Sequence, residues 1–220
     1  MDSIIFETLS GENMLIEFDD AHSALQPYLN SLRSVIDGAW KDWQTEVPPQ
    51  VRSISHARSR ACMVNDFMKM RGIRLAEKDN SIKFIIKKQM FVLIFNPENF
   101  DGCIGIRLKK FDEDGLSKNQ PTSQVQDFRG QQRLPGIPAD YHLEAGYIID
   151  RFGSELASIN LVCPSGSENH WTSEILPTGI KQNVDNLFSQ ENQQLIKEVK
   201  VRKKSRKSDK KDGEEHAKAN

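Results

Sequence analysis

The sequence predicts an α+β domain: an N-terminal helical hairpin packed on an antiparallel sheet of five or six strands, followed by a disordered basic tail. Three observations predict it. Between residues 21 and 71, apolar side chains recur every three or four positions, the period of one helix face. From residue 81 to residue 176 the period drops to two and β-branched residues appear. From 197 to 211 the chain reads KEVKVRKKSRKSDKK, nine Lys/Arg against two acids, a net of +7; the whole chain is −1, so the remainder carries −8. The boundaries expected are 1–196 for one domain and 197–220 for a tail whose composition cannot fold alone.

Each element has its own signal. Residues 1–19 hold two short apolar runs split by Ser10-Gly11 and suit a short hairpin or irregular arm; the first twenty residues contain six acids and no Lys or Arg. A first helix is expected over 21–44, capped by Asp19 or Asp20, with Leu25, Leu29, Leu32, Ile36, Trp40 and Trp43 on one face. Pro27 lies in its first turns, and Val47-Pro48-Pro49 ends it. A second helix is expected over 49–71, burying Val51, Ile54, Ala57, Ala61, Val64 and Met68. Residues 82–87 and 90–95 read as strands around Lys88-Gln89, and 103–111 as a third, where Ile104, Ile106 and Leu108 alternate with Gly105, Arg107 and Lys109. The stretch 112–140 is long, polar and rich in Gln, Pro and Gly; a loop of that length is uncommon unless functional, and 122–132 suits a short helix within it. Strands return at 143–150 and 156–163, with an edge strand over 171–176, and a last helix is expected over 183–200.

Composition excludes several classes. At 37% apolar and 28% charged the chain is polar for a globular protein, but the surplus lies in the tail, so the body keeps enough apolar residues for a core. No run of roughly eighteen apolar residues exists to span a membrane. The opening MDSIIFETLSGENML lacks the basic and apolar regions of a secretory signal. Cys62, Cys103 and Cys163 are odd in number and far apart, which suits three buried, reduced thiols and a cytoplasmic location.

Catalytic patterns are sparse. His22, His56, His142, His170 and His216 form no metal-ligand spacing, there is no phosphate-binding glycine loop and no nucleophile elbow, so no cofactor and no metal are expected. A magnesium-dependent nuclease would use Glu144 and Asp150, six apart on one predicted strand; a metal-independent RNase would use His56 beside Arg58 and Arg60. Binding has more material. Arg52, Arg58, Arg60, Lys69 and Arg71 crowd the second helix, and Lys83, Lys87, Arg107 and Lys109 alternate along strands, so a sheet face left uncovered by helices would form a basic patch suited to phosphates.

Residues 104–176 read IGIRLKKFD, NQPTSQVQDF, LPG, LEAGYIID and ASINLVCP in turn. This R-x-K-K strand, N-x-P-T-x-Q segment and later G-Y strand resembles a poorly characterised group of bacterial and phage-borne proteins found near toxin–antitoxin or phage-defence regulators. The positions that carry the resemblance are Arg107, Lys109, Lys110, Asn119, Pro121, Thr122, Gln124, Gln131, Gly146, Tyr147 and Trp171. It implies a cytosolic accessory or regulatory protein that binds a partner protein, DNA or RNA, and brings no catalytic residue with it. The binding residues expected are Arg58, Arg60, Arg107, Lys109, Lys110, Asn119, Thr122 and Gln124, with Lys203, Lys204, Arg206 and Lys207 of the tail adding sequence-independent attraction. The alternatives are a nuclease, and a protein-only antitoxin or immunity factor whose acidic N-terminus and helical hairpin bind a basic toxin.

Overall fold

The computed structural model describes residues 15–118, 120 and 122–177. Four helices come first: α1 (Phe18–Leu25), α2 (Leu29–Glu46), α3 (Pro49–Ile54) and α4 (Ala57–Lys78). Strands β1 (Ile82–Lys87), β2 (Met90–Phe95) and β3 (Ile104–Lys110) follow, then helix α5 (Ser123–Arg129), then β4 (Tyr141–Ile149), β5 (Leu156–Ser165) and β6 (Glu168–Glu174). The α+β class is as expected. The arm expected before residue 15, the helix over 183–200 and the basic tail lie outside the described residues.

The two long helices expected from the apolar period are each divided. Pro27 lacks an N–H and disfavours helical geometry in the residue before it, so the first helix breaks into α1 and α2, with the Tyr28 amide closing the turn on the Leu25 carbonyl at 2.8 Å. Asp19 and Asp20 lie inside the first turn of α1 instead of capping it, where their charge opposes the positive end of the helix dipole. The second predicted helix is split at Ser55-His56. Ser53 and Ser55 bond back to the Gln50 and Val51 carbonyls at 2.9 and 2.7 Å, competing with the helical ladder. Val51 and Ile54 are 43% and 78% exposed, so α3 buries nothing, and the stripe expected there begins only at Val64 and Met68 of α4. Ala57 and Ala61 likewise stay outside the core.

The strands form one six-stranded sheet in the order β1-β2-β3-β4-β5-β6. The pairing differs from the antiparallel sheet expected at one place: β3 and β4 run parallel, from Ile104↔Tyr141 to Lys110↔Tyr147. Parallel neighbours need a long crossover, and the polar stretch after β3, with α5 inside it, supplies one. Lys88 and Gln89 both have positive φ, 47° and 67°, which gives the two-residue β1–β2 turn the hand that matches strand twist. β2 pairs with β3 only from Leu93 to Phe95, so the Arg107–Lys110 half of β3 is hydrogen-bonded on its β4 side alone.

Two cores result. On one face, Leu32, Ile36 and Trp40 of α2 and Val64 and Met68 of α4 pack on Phe91, Leu93, Ile106, Leu143, Tyr147 and Leu161. On the other, Phe128, Leu134, Ile137 and Ala139 of the crossover cover Met90, Val92 and Ile94. The second face is therefore not an open basic surface. Burying these crossover side chains stabilises by about 1.5–3 kcal/mol for each large one, which outweighs leaving a polar loop in solvent. Glycine permits the close approaches this requires: a Cβ at Gly146 would lie 1.9 Å from the Lys109 carbonyl oxygen, and one at Gly105 would lie 2.8 Å from the Ala139 Cβ.

Candidate functional site

The crossover buries an ion-pair layer on the second face. Strand alternation points Arg107 of β3 and Glu144 of β4 the same way, at paired register positions. Glu144 is fully buried, and its carboxylate lies 2.9 Å from Arg129 Nη1 and 3.5 Å from Arg107 Nη1. The Ser117 hydroxyl donates to the same carboxylate at 2.6 Å. Arg129 is held further by the Gly166 carbonyl at 2.7 Å and the Glu168 carbonyl at 2.9 Å, so it ties α5 to the β5–β6 turn. Arg107 lies over the Phe128 ring at 5.0 Å, and Phe128 stacks on His142 at 4.5 Å. Burial pushes the His142 ring down to about 4, opposed by the Phe128 carbonyl and Asp140, so His142 is neutral at pH 7.

Lys109 lies beside this layer. Burial, with the Arg107 charge, lowers its amine to about 8, while Glu144 opposes. Gln131 completes the layer from a positive-φ position of 56°. Its side-chain amide donates to the His142 carbonyl at 2.8 Å and the Pro164 carbonyl at 2.9 Å, while its oxygen accepts from the His142 amide at 2.9 Å. Pro164 brings no N–H to the ladder, and Gln131 supplies the missing donor.

A separate cleft opens at the C-terminal end of β3. It holds about 600 Å³ and is lined by Ala57, Arg58 and Ala61 of α4, by Lys110, Phe111 and Asp112, and by Lys118 and Gln120 of the crossover. Among the described residues, three cations from three segments line it with one carboxylate. Asp112 spends an oxygen on its own loop, accepting from the Leu116 amide at 2.8 Å and the Asp114 amide at 3.2 Å. Burial lowers the Lys110 amine, and the Arg60 and Lys118 charges lower it further. The positive N-terminal end of α4 adds to the same field.

The predicted binding residues are thus divided. Arg58 and Lys110 meet in the cleft. Arg60 is committed to the Gly153 carbonyl at 2.8 Å and lies over the Trp43 ring at 5.7 Å. Arg107, at 7% exposed, belongs to the buried layer, and Lys109 is half-buried beside it. Thr122 caps α5 by accepting from the Val125 amide at 3.4 Å, and Gln124 donates to the Lys87 carbonyl at 3.4 Å. Asn119, Lys203, Lys204, Arg206 and Lys207 lie outside the described residues.

The acids named for a nuclease are not brought together. Glu144 is enclosed by arginines, while Asp150 sits past the end of β4 with its carboxylate accepting from the Ser154 amide at 2.7 Å and the Glu155 amide at 3.1 Å. A register shift between Ile148 and Ile149 breaks the alternation that had placed both on one face. Among the described residues no three His, Cys, Asp or Glu side chains cluster as a metal site would require. Cys62 is exposed, Cys103 half-buried and Cys163 buried, so only one of the three expected buried thiols is enclosed; α4 turns Cys62 to solvent. No described helix is long and apolar enough to cross a membrane.

Arg129, Ser117, Lys118 and Gln120 were not singled out from the sequence. All four lie in the crossover, where no periodicity marks which side chains turn inward; the pairing of Phe128-Arg129 just before Gly130 is the only local sign of a helix end tucked under the sheet. Comparison of the chain with protein-family models, with curated proteins and with solved structures gave no match.

Proposed function

We propose that the protein is an accessory or regulatory nucleic-acid-binding protein, and that the cleft between α4 and the end of β3 is its contact surface. The observation that supports this reading is the convergence of Arg58, Lys110 and Lys118 on one concavity where, among the described residues, Asp112 is the one acid and the cations outnumber it. Phosphate is the common anion that such a field attracts, and lysine and arginine contacts to phosphate supply most sequence-independent affinity. The resemblance of residues 104–176 suits a cytosolic toxin–antitoxin or phage-defence setting for this role, with the basic 197–211 segment as an added tether.

Binding of the full chain to labelled DNA and RNA, measured by fluorescence anisotropy across a salt series, tests the reading. Removing the three charges together (Arg58→Ala, Lys110→Ala, Lys118→Ala) is expected to weaken binding at least tenfold and to reduce the salt slope by about 2, since each phosphate contact contributes roughly 0.7–0.9. An unchanged affinity and slope would refute it.

A further inference from the structure

We infer that the cleft takes an unpaired nucleotide, so that the protein prefers single-stranded DNA or RNA to duplex; this rests on the reading just proposed. The shape carries the inference. A duplex presents its phosphates on a convex surface, and a flat or ridged set of cations suffices to meet them. Here the cations rim a recess of about 600 Å³, within the roughly 300–1,000 Å³ of small-ligand sites. Its chemistry is divided in the way a nucleotide is. Ala57, Ala61 and Phe111 give the lining its apolar part, while Arg58, Lys110 and Lys118 are charged. A base needs the former, and its phosphate needs the latter.

The same geometry sets the limits of recognition. Phe111 is 2% exposed, so it offers no open ring face on which a base could stack, and apolar contact falls mainly to the alanine methyl groups. Gln120 carries an amide donor and acceptor at the lining and is, among the described residues, the one neutral hydrogen-bonding side chain there. Base preference should therefore be slight, with strandedness discriminated more strongly than sequence. The crowded positive charge supports the choice of ligand. Lys110 is disfavoured as a cation by burial and by Arg60 and Lys118, and an anion in the recess relieves that repulsion.

The test compares full-length protein binding to a labelled eight-nucleotide single strand and to a twelve-base-pair duplex at one salt concentration. Two variants fill the recess without changing charge, Ala61→Trp and Ala57→Trp. Ala57 is exposed at the start of α4, so Ala57→Trp leaves the fold intact even if Ala61→Trp does not. The expected result is at least tenfold tighter binding of the single strand, a preference that is lost in the filled variants. Equal affinity for the two forms, or a preference that survives filling, overturns the inference and leaves the nucleic-acid reading standing on its charge variants. Absence of binding to every probe overturns both.

Discussion

Arg129 of α5 and Glu144 of β4 meet at 2.9 Å in the interior, and neither side chain is more than 10% exposed. Removing one partner of such a pair leaves the other buried and uncompensated, which typically costs about 3–5 kcal/mol. Glu144→Ala is expected to lie in that range, because it strands two arginines. Urea unfolding measures it; a loss below about 1 kcal/mol would show that the layer is solvated rather than enclosed. An Arg129→Met, Glu144→Leu double variant is expected to recover only the part of the loss that comes from Arg129, since Arg107 stays buried without its acid.

His142 gives the fold a pH dependence. Its ring is lowered to about 4 from the usual 6.5. Between those values the unfolded chain binds a proton that the folded protein refuses, so this contribution is fully present above pH 6.5 and is lost as pH falls towards 4. The size is on the order of 3 kcal/mol, at 1.36 kcal/mol for each unit. Unfolding midpoints of wild type and His142→Phe across pH 4–7 should diverge at the acid end, with the variant less sensitive; parallel profiles would count against a buried neutral ring.

Lys109 is expected to be an unusually reactive amine. With its ordinary value lowered from 10.5 to about 8, it is half deprotonated where surface lysines are almost wholly protonated. Competitive acylation read by mass spectrometry should show a labelling midpoint near pH 8 at Lys109, well below that of a lysine in an unstructured reference peptide. Replacing it by methionine should stabilise the fold at pH 7, by about 1–2 kcal/mol, because the ammonium is held among like charges.

Gly146→Ala tests the parallel pairing. The added methyl would meet the Lys109 carbonyl oxygen at 1.9 Å, a backbone atom that cannot turn aside. The strands must separate or the local register must shift, and a loss of at least about 2 kcal/mol is expected. Gly166→Ala provides a contrast: a Cβ there meets nothing within 4 Å, so its cost comes from the φ of 60° alone, about 1–2 kcal/mol. Thermal or urea unfolding ranks the two.

Much of the sheet was legible because alternation is a local property. Ile104, Ile106 and Leu108 announce a strand whatever lies around them. What alternation cannot tell is whether the opposite face is wet. Arg107 and Lys109 read as a solvent-facing stripe, and only the packing of Phe128, Leu134 and Ile137 against the sheet reveals that the stripe is roofed over. The direction of β4 relative to β3 was hidden for the same reason, since a long polar connection fits either a wide hairpin or a crossover. In the cleft, Arg58 and Lys110 were recognisable as cations on regular elements, whereas Lys118 and Gln120 reach it from a loop, where position follows from tertiary contacts that no short-range pattern encodes.

The one parallel pair also dictates an order of assembly. The β1–β2, β4–β5 and β5–β6 connections close over short loops and can form early from neighbouring residues. β3 and β4 cannot join until the intervening thirty or so residues have been laid across the sheet, and closing a segment of that length carries an entropic penalty that local hairpins avoid. Until then Val92 and Ile94 have no cover on that side. The slow step of folding should therefore be the docking of α5, with Arg129 reaching Glu144 as its last event, and variants of that pair should slow refolding less than they speed unfolding.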